Sequence, residues 1–238
     1  MTGPLFEDHH VHSTFSDGTS SLEENIAAAE RAGLVHLGCV DHVRVDTQYV
    51  PSYAAAVNTL RHTTKVTLSI GIEAKILNAS GRLDLPADGL SEVERVYVAD
   101  HVFPSREGPV SPRAIKEAIA RGDTNVTACI ATLVEAITNA LRENRTRPLV
   151  LAHPFSILPK MGLSEDQVPD RLLGMTADAA KETGTMVEIS EKWRCPSLRT
   201  LRAMRAAGVT LVSGTDSHTA KTIGRYDYVR SMLQELAA

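Results

Sequence analysis

A parallel α/β barrel is the fold this sequence predicts, and three observations predict it. Short apolar segments alternate with helical ones along the chain. The length, 238 residues, suits one domain over 1–238, since single α/β barrels commonly run to this size. Six of the nine histidines fall at the C-terminal ends of predicted strands, which a parallel barrel gathers at one mouth.

The elements follow in order. A first strand is predicted near Leu5–His12. Ser21-Leu22-Glu23-Glu24 opens the first helix, with Ser20 or Ser21 as N-cap and carboxylates in the first turn, and Gly33 ends it. Strands are expected at Val35–His42, Val66–Leu77, Arg95–Val102, Leu149–His153, Thr185–Ile189 and Thr210–Ser213. Helices fit Ser52–Arg61, Ser111–Arg121, Thr124–Glu143, Glu165–Thr183, Ser197–Ala207 and Ala220–Leu236. Repeated βα units imply parallel strands joined by right-handed crossovers. Seven strands inside helices make a closed or nearly closed barrel, with a doubly wound open sheet as the alternative. No G-x-G-x-x-G run follows the first strand, so nothing recommends a dinucleotide site there. Two long connections, Phe103–Pro109 and Pro154–Pro169, each follow a strand that ends in histidine and would overhang the barrel mouth. Lids and ordinary surface loops are both compatible with them.

Composition excludes several function classes. A net charge of −4 gives no reason to expect a strong non-specific grip on nucleic acid. Cys39, Cys129 and Cys195 are too few and too scattered for a disulfide framework or a thiolate zinc site. Aromatics are only 4%, so Ala, Val, Leu and Ile must build the core. The N-terminus lacks a basic segment followed by an apolar run, and Val126–Leu141 is too short and too polar to span a bilayer. A cytoplasmic location is the default expectation.

Six clusters carry the chemistry. In Asp8-His9-His10-Val11-His12, strand alternation puts His10 and His12 on one face, with Asp8 placed to orient a ligand. Asp17 sits in the turn Ser16-Asp17-Gly18, where an Asp often serves only the turn. Asp41-His42 and Asp100-His101 close two further strands. Glu73 lies inside the apolar strand Gly71–Lys75, a costly place for a carboxylate unless it is paired or holds metal. His153 ends a buried strand, and Asp216 and His218 end the last one. His9, His36 and His62 have no such placement and are expected to be structural or superficial. Histidine and carboxylate without cysteine suit Zn, Mn or Fe.

These motifs resemble the PHP (polymerase and histidinol phosphatase) family of metal-dependent phosphoesterases over essentially the whole chain. The resemblance rests on Asp8-His9-His10-Val11-His12-Ser13 and Phe15-Ser16-Asp17-Gly18, then Asp41-His42, Gly71-Ile72-Glu73, His101, Ala152-His153-Pro154 and Thr215-Asp216-Ser217-His218, in family order. It implies a distorted seven-stranded (β/α)7 TIM-like barrel holding two to three divalent ions. By the same resemblance, His10, His12, Glu73 and Asp216 would hold one ion. Glu73, His101 and His153 would hold a second, and Asp17, His42 and His218 a third.

The implied reaction is hydrolysis of a small phosphorylated metabolite through a hydroxide bridging two ions, with Glu73, Asp216 and His218 as catalytic residues. Candidate proton donors are water on the third metal, or Asp216 or His218 where these are not fully engaged. Arg44, Lys75, Lys192, Arg194 and Arg225 are candidate phosphate-binding residues. Glu188 ends a strand at the same mouth, where it would meet substrate or a ligand histidine, and Trp193 would stack on a ring or pack. A phosphomonoesterase of the histidinol phosphatase kind leads. Alternatives are a cyclic or nucleotide phosphodiesterase, a polymerase-associated nuclease, an amidohydrolase-type metalloenzyme and a non-enzymatic metal-binding protein. Small size and acidic balance weigh against the nuclease. Glu73 and Asp216-Ser217-His218 fit PHP better than the amidohydrolase class, and the filled ligand set weighs against a non-enzymatic role.

Overall fold

The computed structural model describes residues 3–238. Its main sheet is built from β1 (Glu7–Val11), β2 (His36–His42), β3 (Thr67–Lys75), β4 (Arg95–Ala99), β7 (Leu149–Leu151), β8 (Met186–Ser190) and β9 (Leu211–Gly214). All paired neighbours run parallel, in the order β1-β2-β3-β4-β7-β8-β9. The intervening pair β5 (Phe103–Pro104) and β6 (Pro109–Val110) is a small antiparallel hairpin. The two edges of the main sheet meet just past the strand ends. There the His12 N–H donates to Ser217 O at 2.8 Å and the Ser217 N–H to His10 O at 3.3 Å. The result is the nearly closed seven-stranded barrel that the strand–helix alternation predicts.

Seven helices alternate with the strands: α1 (Leu22–Arg31), α2 (Val50–Leu60), α3 (Pro112–Arg121), α4 (Val126–Glu143), α5 (Asp170–Thr183), α6 (Leu198–Ala206) and α7 (Tyr228–Ala237). Ser21 caps α1 in a reciprocal box with Glu24, satisfying two backbone N–H groups that the helix leaves open. Pro51 is taken into the first turn of α2, where no N–H is needed. The barrel interior is small and aliphatic around one ring: Val40, Tyr97, Ala99, Val150, Ala152 and Val212. A larger apolar layer joins α4 and α5 to the outer faces of β3, β4 and β7 through Ile72, Val96, Leu133, Ile137, Leu151 and Leu173. The scarcity of aromatics is met this way, by many small and branched side chains. No helix among the described residues is long and apolar enough to cross a membrane.

Two predicted helices start late. Glu165–Gln167 forms its own 3-10 turn, and Pro169 precedes a fresh start at Asp170. Residues 220–227 precede α7 as turns and irregular backbone, with Gly224 at φ +68°. The Pro154–Pro169 connection is a fixed wall. Phe155, Ile157, Leu158 and Met161 are buried, and the Glu165 carboxylate accepts from the Ser197 N–H at 2.9 Å and from its hydroxyl at 2.6 Å. Arg199 adds donations to the Glu165 and Val168 carbonyls at 2.9 and 2.7 Å.

Candidate metal centre

The nine residues expected to ligate metal all converge at the C-terminal mouth. Parallel register puts His42 directly opposite Glu73, and Glu73 opposite Tyr97. The Glu73 carboxylate is the hub. Its Oε1 faces His101 Nε2 at 3.2 Å and His153 Nε2 at 2.8 Å. Its Oε2 faces His42 Nδ1 at 2.8 Å and the Nε2 atoms of His10 and His12 at 3.6 Å each. One carboxylate therefore divides its two oxygens between two groups of imidazoles. Asp216 Oδ1 stands 3.0 Å from His12 Nε2 and 3.4 Å from His218 Nδ1. Asp17 reaches His218 Nε2 at 3.3 Å and His42 Nε2 at 3.5 Å. Asp17 is thus a member of the cluster as well as a turn residue.

Three sets of donor atoms lie close enough to share an ion: His10, His12 and Glu73; His42, Glu73 and His101; and His12, Asp17, His42 and His218. They overlap the three expected sets, with His12, His42 and Glu73 each belonging to two. His10, His12, Glu73, His153 and Asp216 are buried, whereas His42, His101 and His218 are half-buried and Asp17 is open. The cluster therefore grades from a sealed floor to a wet rim.

The donor set fits divalent ions on a specific observation. Glu73 Oε2, Asp216 Oδ1 and His12 Nδ1 are buried without a hydrogen-bond partner. Buried acceptors left this way cost about 1–3 kcal/mol each, more when charged, and a cation among them removes that cost. Protonation states lean the same way. Burial opposes ionisation of Glu73, but His101 and His10 outweigh it and hold the carboxyl well below the usual range. Burial likewise opposes charge on Asp216, and His12 and His10 overcome it. Burial disfavours a charged His153, yet Asp100 and Glu73 raise it to about 10, so with no ion present a proton supplies the positive charge that the surrounding carboxylates call for. His12 is pushed down to about 4, chiefly by burial, leaving a neutral imidazole with a lone pair to give.

A further layer holds the ligands. Glu188 is wholly buried, and its Oε2 accepts from the His153 N–H at 2.8 Å and pairs with His10 Nδ1 at 3.1 Å. Gly214 makes room for it, since a Cβ there would lie 2.1 Å from Glu188 Oε1. The Ser156 hydroxyl donates to Asp100 at 2.8 Å and lies 3.0 Å from His153 Nδ1, orienting that ring. Asp41 accepts from the Ser13 N–H at 3.0 Å, the Ser13 hydroxyl at 2.6 Å and the Ser16 hydroxyl at 2.5 Å, which fixes the turn carrying Asp17. Asp8 corrects an expectation: it touches no ligand imidazole. It accepts from the Thr215 N–H at 2.9 Å, the Thr215 hydroxyl at 2.7 Å and the Gly224 N–H at 3.1 Å, so it ties β1 to the loop that carries Asp216. Burial raises Asp8 and Asp41 to about 6 each, against the hydrogen bonds that favour their charged forms. His153 and Asp216 both adopt positive φ, +28° and +49°, a backbone cost typical of functional strand ends.

His9 and His36 stand apart, their rings 4.4 Å from each other and tilted by 33°, with His9 Nε2 2.9 Å from Glu7. His62 is exposed beyond α2.

Two clefts open beside the cluster. One, of about 470 Å³, is lined by Asp17, His42, Glu73 and His101 together with Arg44 and Lys75. Lys75 is already paired with Asp84 at 3.1 Å. The other, of about 410 Å³, is lined by Asp216, His218, Lys192 and Arg225. Lys192 Nζ lies 3.1 Å from His218 Nδ1 and 3.2 Å from Asp216 Oδ2. Two of the expected substrate contacts line neither cleft. Glu188 sits behind His10, and the Arg194 guanidinium lies over the Tyr228 ring at 5.2 Å. Sequence reasoning missed Lys160, whose ammonium is 4.1 Å over the Trp193 ring, and the 2.6 Å hydrogen bond from Trp193 Nε1–H to Asp216 Oδ2. No local motif marks either, because each contact joins two separate connections.

Comparison with known proteins agrees with this geometry. The PHP domain family matches residues 8–191. A probable phosphatase of Shewanella sp. (strain MR-4) is 25% identical over 240 residues, covering 95% of this chain and 82% of its own. A probable phosphatase of Acetivibrio thermocellus is 25% identical over 245 residues, covering 96% and 86%. In fold, the chain is similar to the histidinol phosphate phosphatase of Lactococcus lactis, solved with zinc, L-histidinol and phosphate. That match has a TM-score of 0.66 at 15% identity over 96% of this chain and 92% of that one. The putative histidinol phosphatase of Listeria monocytogenes matches with a TM-score of 0.71 at 14% identity over 92% and 97%. Strand order, closure and the histidine-lined mouth thus coincide with a family match over most of the sequence, and the chain belongs to the PHP domain family.

Proposed function

We propose that this PHP protein is a metal-dependent phosphomonoesterase acting on a small phosphorylated metabolite. The observation that carries the reading is the hub at Glu73: two carboxylate oxygens divided between opposing sets of imidazoles, one oxygen buried without a hydrogen-bond partner. His10, His12, Glu73 and Asp216 would hold one ion, Glu73, His101 and His153 a second, and Asp17, His42 and His218 a third. Divalent ions there would supply Lewis acidity toward the phosphoryl group and an attacking water acidic enough to ionise near neutrality.

The chain's own residues do the rest. Glu188, Asp100 with Ser156, and Asp8 lock the ligands in place, so little reorganisation is needed when charge develops. Arg44 on one side and Lys192 and Arg225 on the other place cations where phosphate oxygens would arrive. His218, half-buried at the rim beside Lys192, would supply the proton to the leaving alkoxide. Clefts of this volume suit a metabolite rather than a polymer.

The test is a phosphate-release screen over sugar phosphates, histidinol phosphate, nucleotides and cyclic phosphates, with Mn, Zn and Fe supplied separately. Metal-stimulated release from a monoester is expected. Turnover of cyclic phosphates alone would replace the reading with a phosphodiesterase, and no metal-stimulated turnover of any ester would refute it.

A further inference from the structure

We propose that Trp193 is a positioning residue for the metal centre: its indole N–H occupies one oxygen of Asp216, so that Asp216 presents the other oxygen alone to an ion. The inference rests on the metal-dependent reading above.

Asp216 has two oxygens in different circumstances. Oδ2 receives the Trp193 Nε1–H at 2.6 Å and lies 3.2 Å from Lys192 Nζ. Oδ1 is buried without a hydrogen-bond partner and points between His12 Nε2, 3.0 Å away, and His218 Nδ1, 3.4 Å away. A carboxylate free to rotate would exchange these two oxygens. A short, charge-assisted hydrogen bond to one of them fixes the rotamer and leaves a single directed lone pair on the cluster side. The backbone of Asp216 is itself at positive φ, so its side chain is aimed by a conformation that needs support.

Trp193 is equipped to give that support. It sits in the turn after β8, which the Ser190 N–H closes by donating to Cys195 O at 2.8 Å. The next residue, Arg194, rests on Tyr228 of α7 and anchors the turn from outside. Lys160, from the wall after β7, stands 4.1 Å over the indole, and the His153 ring lies 5.7 Å from it. The indole is therefore held by two connections and touches the surroundings of two ligand residues. Trp193 is also the only tryptophan in the chain, so its emission reports this site alone.

The test uses metal-free full-length protein titrated with Zn²⁺ alone. In the wild type, the tryptophan emission is expected to change in step with Zn²⁺ bound, and Asp216→Asn is expected to abolish most of that change. Trp193→Phe keeps the ring and loses the donor. In competition with a chromogenic chelator it is expected to weaken one Zn²⁺ by about 10–100-fold. Its kcat should fall while KM moves by less than about threefold. Wild-type emission that ignores saturating Zn²⁺, or a Trp193→Phe protein that binds Zn²⁺ as the wild type does, would overturn the proposal. The wild-type titration needs no variant to fold. Metal binding and phosphate release are read separately. Failure of every phosphoester with the Zn²⁺ response intact removes only the assigned reaction. Active enzyme with an unresponsive Trp193 removes only this inference.

Discussion

Glu188 is where the sequence leaves two roles open, substrate contact or support for a ligand histidine, and replacing it separates them. As a substrate contact at the barrel mouth, its loss would mainly raise KM. As built, it is sealed from solvent and holds His10 Nδ1 at 3.1 Å and the His153 N–H at 2.8 Å, so it acts on two ligands at once. Losing an outer partner of a ligating histidine typically costs 10–100-fold in metal affinity, or about 1.4–2.8 kcal/mol. Glu188 bears on two such residues, so Glu188→Ala is placed at the upper end, near 100-fold. The metal-free protein should lose stability as well, because the variant orphans the buried His153 N–H and His10 Nδ1 and leaves a void where the carboxylate stood. Glu188→Gln keeps shape and an acceptor for the His153 N–H and should fall between the two. The assay is Zn²⁺ competition with a chelator, followed by kcat and KM at saturating metal. Unchanged Zn²⁺ affinity with a raised KM would refute the structural role and restore the substrate contact.

Three more outcomes follow from the same geometry. Glu73→Ala should lose at least one bound ion and nearly all activity, checked by elemental analysis and phosphate release; retained turnover would remove it as the hub. Arg225→Ala should raise KM about tenfold or more, the loss of one charge-assisted contact, while Arg194→Ala, whose guanidinium lies on Tyr228, should leave KM near wild type. His36 is pushed from its ordinary 6.5 down to about 3, first by burial and then by His9 and Arg95. The folded state thus binds fewer protons than the unfolded one, so this contribution to stability is full above pH 6.5 and is lost as pH falls toward 3. The gap corresponds to roughly 4–5 kcal/mol at its limit. Thermal melts of metal-free His36→Asn between pH 7 and 4 should decline less steeply than those of the wild type.

Much of the architecture was legible because two periods coincide with chemistry. Apolar runs such as Val35–Val40 and Leu149–Leu151 read as buried parallel strands, and the polar residue ending each marks the mouth. His10, His12, His42, His101 and His153 could therefore be gathered from spacing alone, while Asp17 needed the family resemblance to rise above a turn-former. What stayed hidden depends on contacts between distant segments. Nothing near Glu188 says that Gly214, on the neighbouring strand, leaves space to bury it. Asp8 reads as support for a neighbouring histidine ring, whereas its oxygens go to Thr215 and Gly224 and steady the loop that carries Asp216. Lys160 and Trp193 meet from separate connections, so neither carries a local signature. Late starts of α5 and α7 share one cause: backbone turns at Pro169 and Gly224 interrupt segments whose apolar pattern continues.

The central claim is that ions held around Glu73 drive phosphoester hydrolysis, and one titration tests it most directly. Chelator-stripped protein would receive Mn²⁺ in increments while phosphate release from a responsive monoester is followed. Activity should be absent at the start, rise with each equivalent and saturate at two to three ions per chain. Turnover that is full before metal is added, or that ignores its return, would contradict the account.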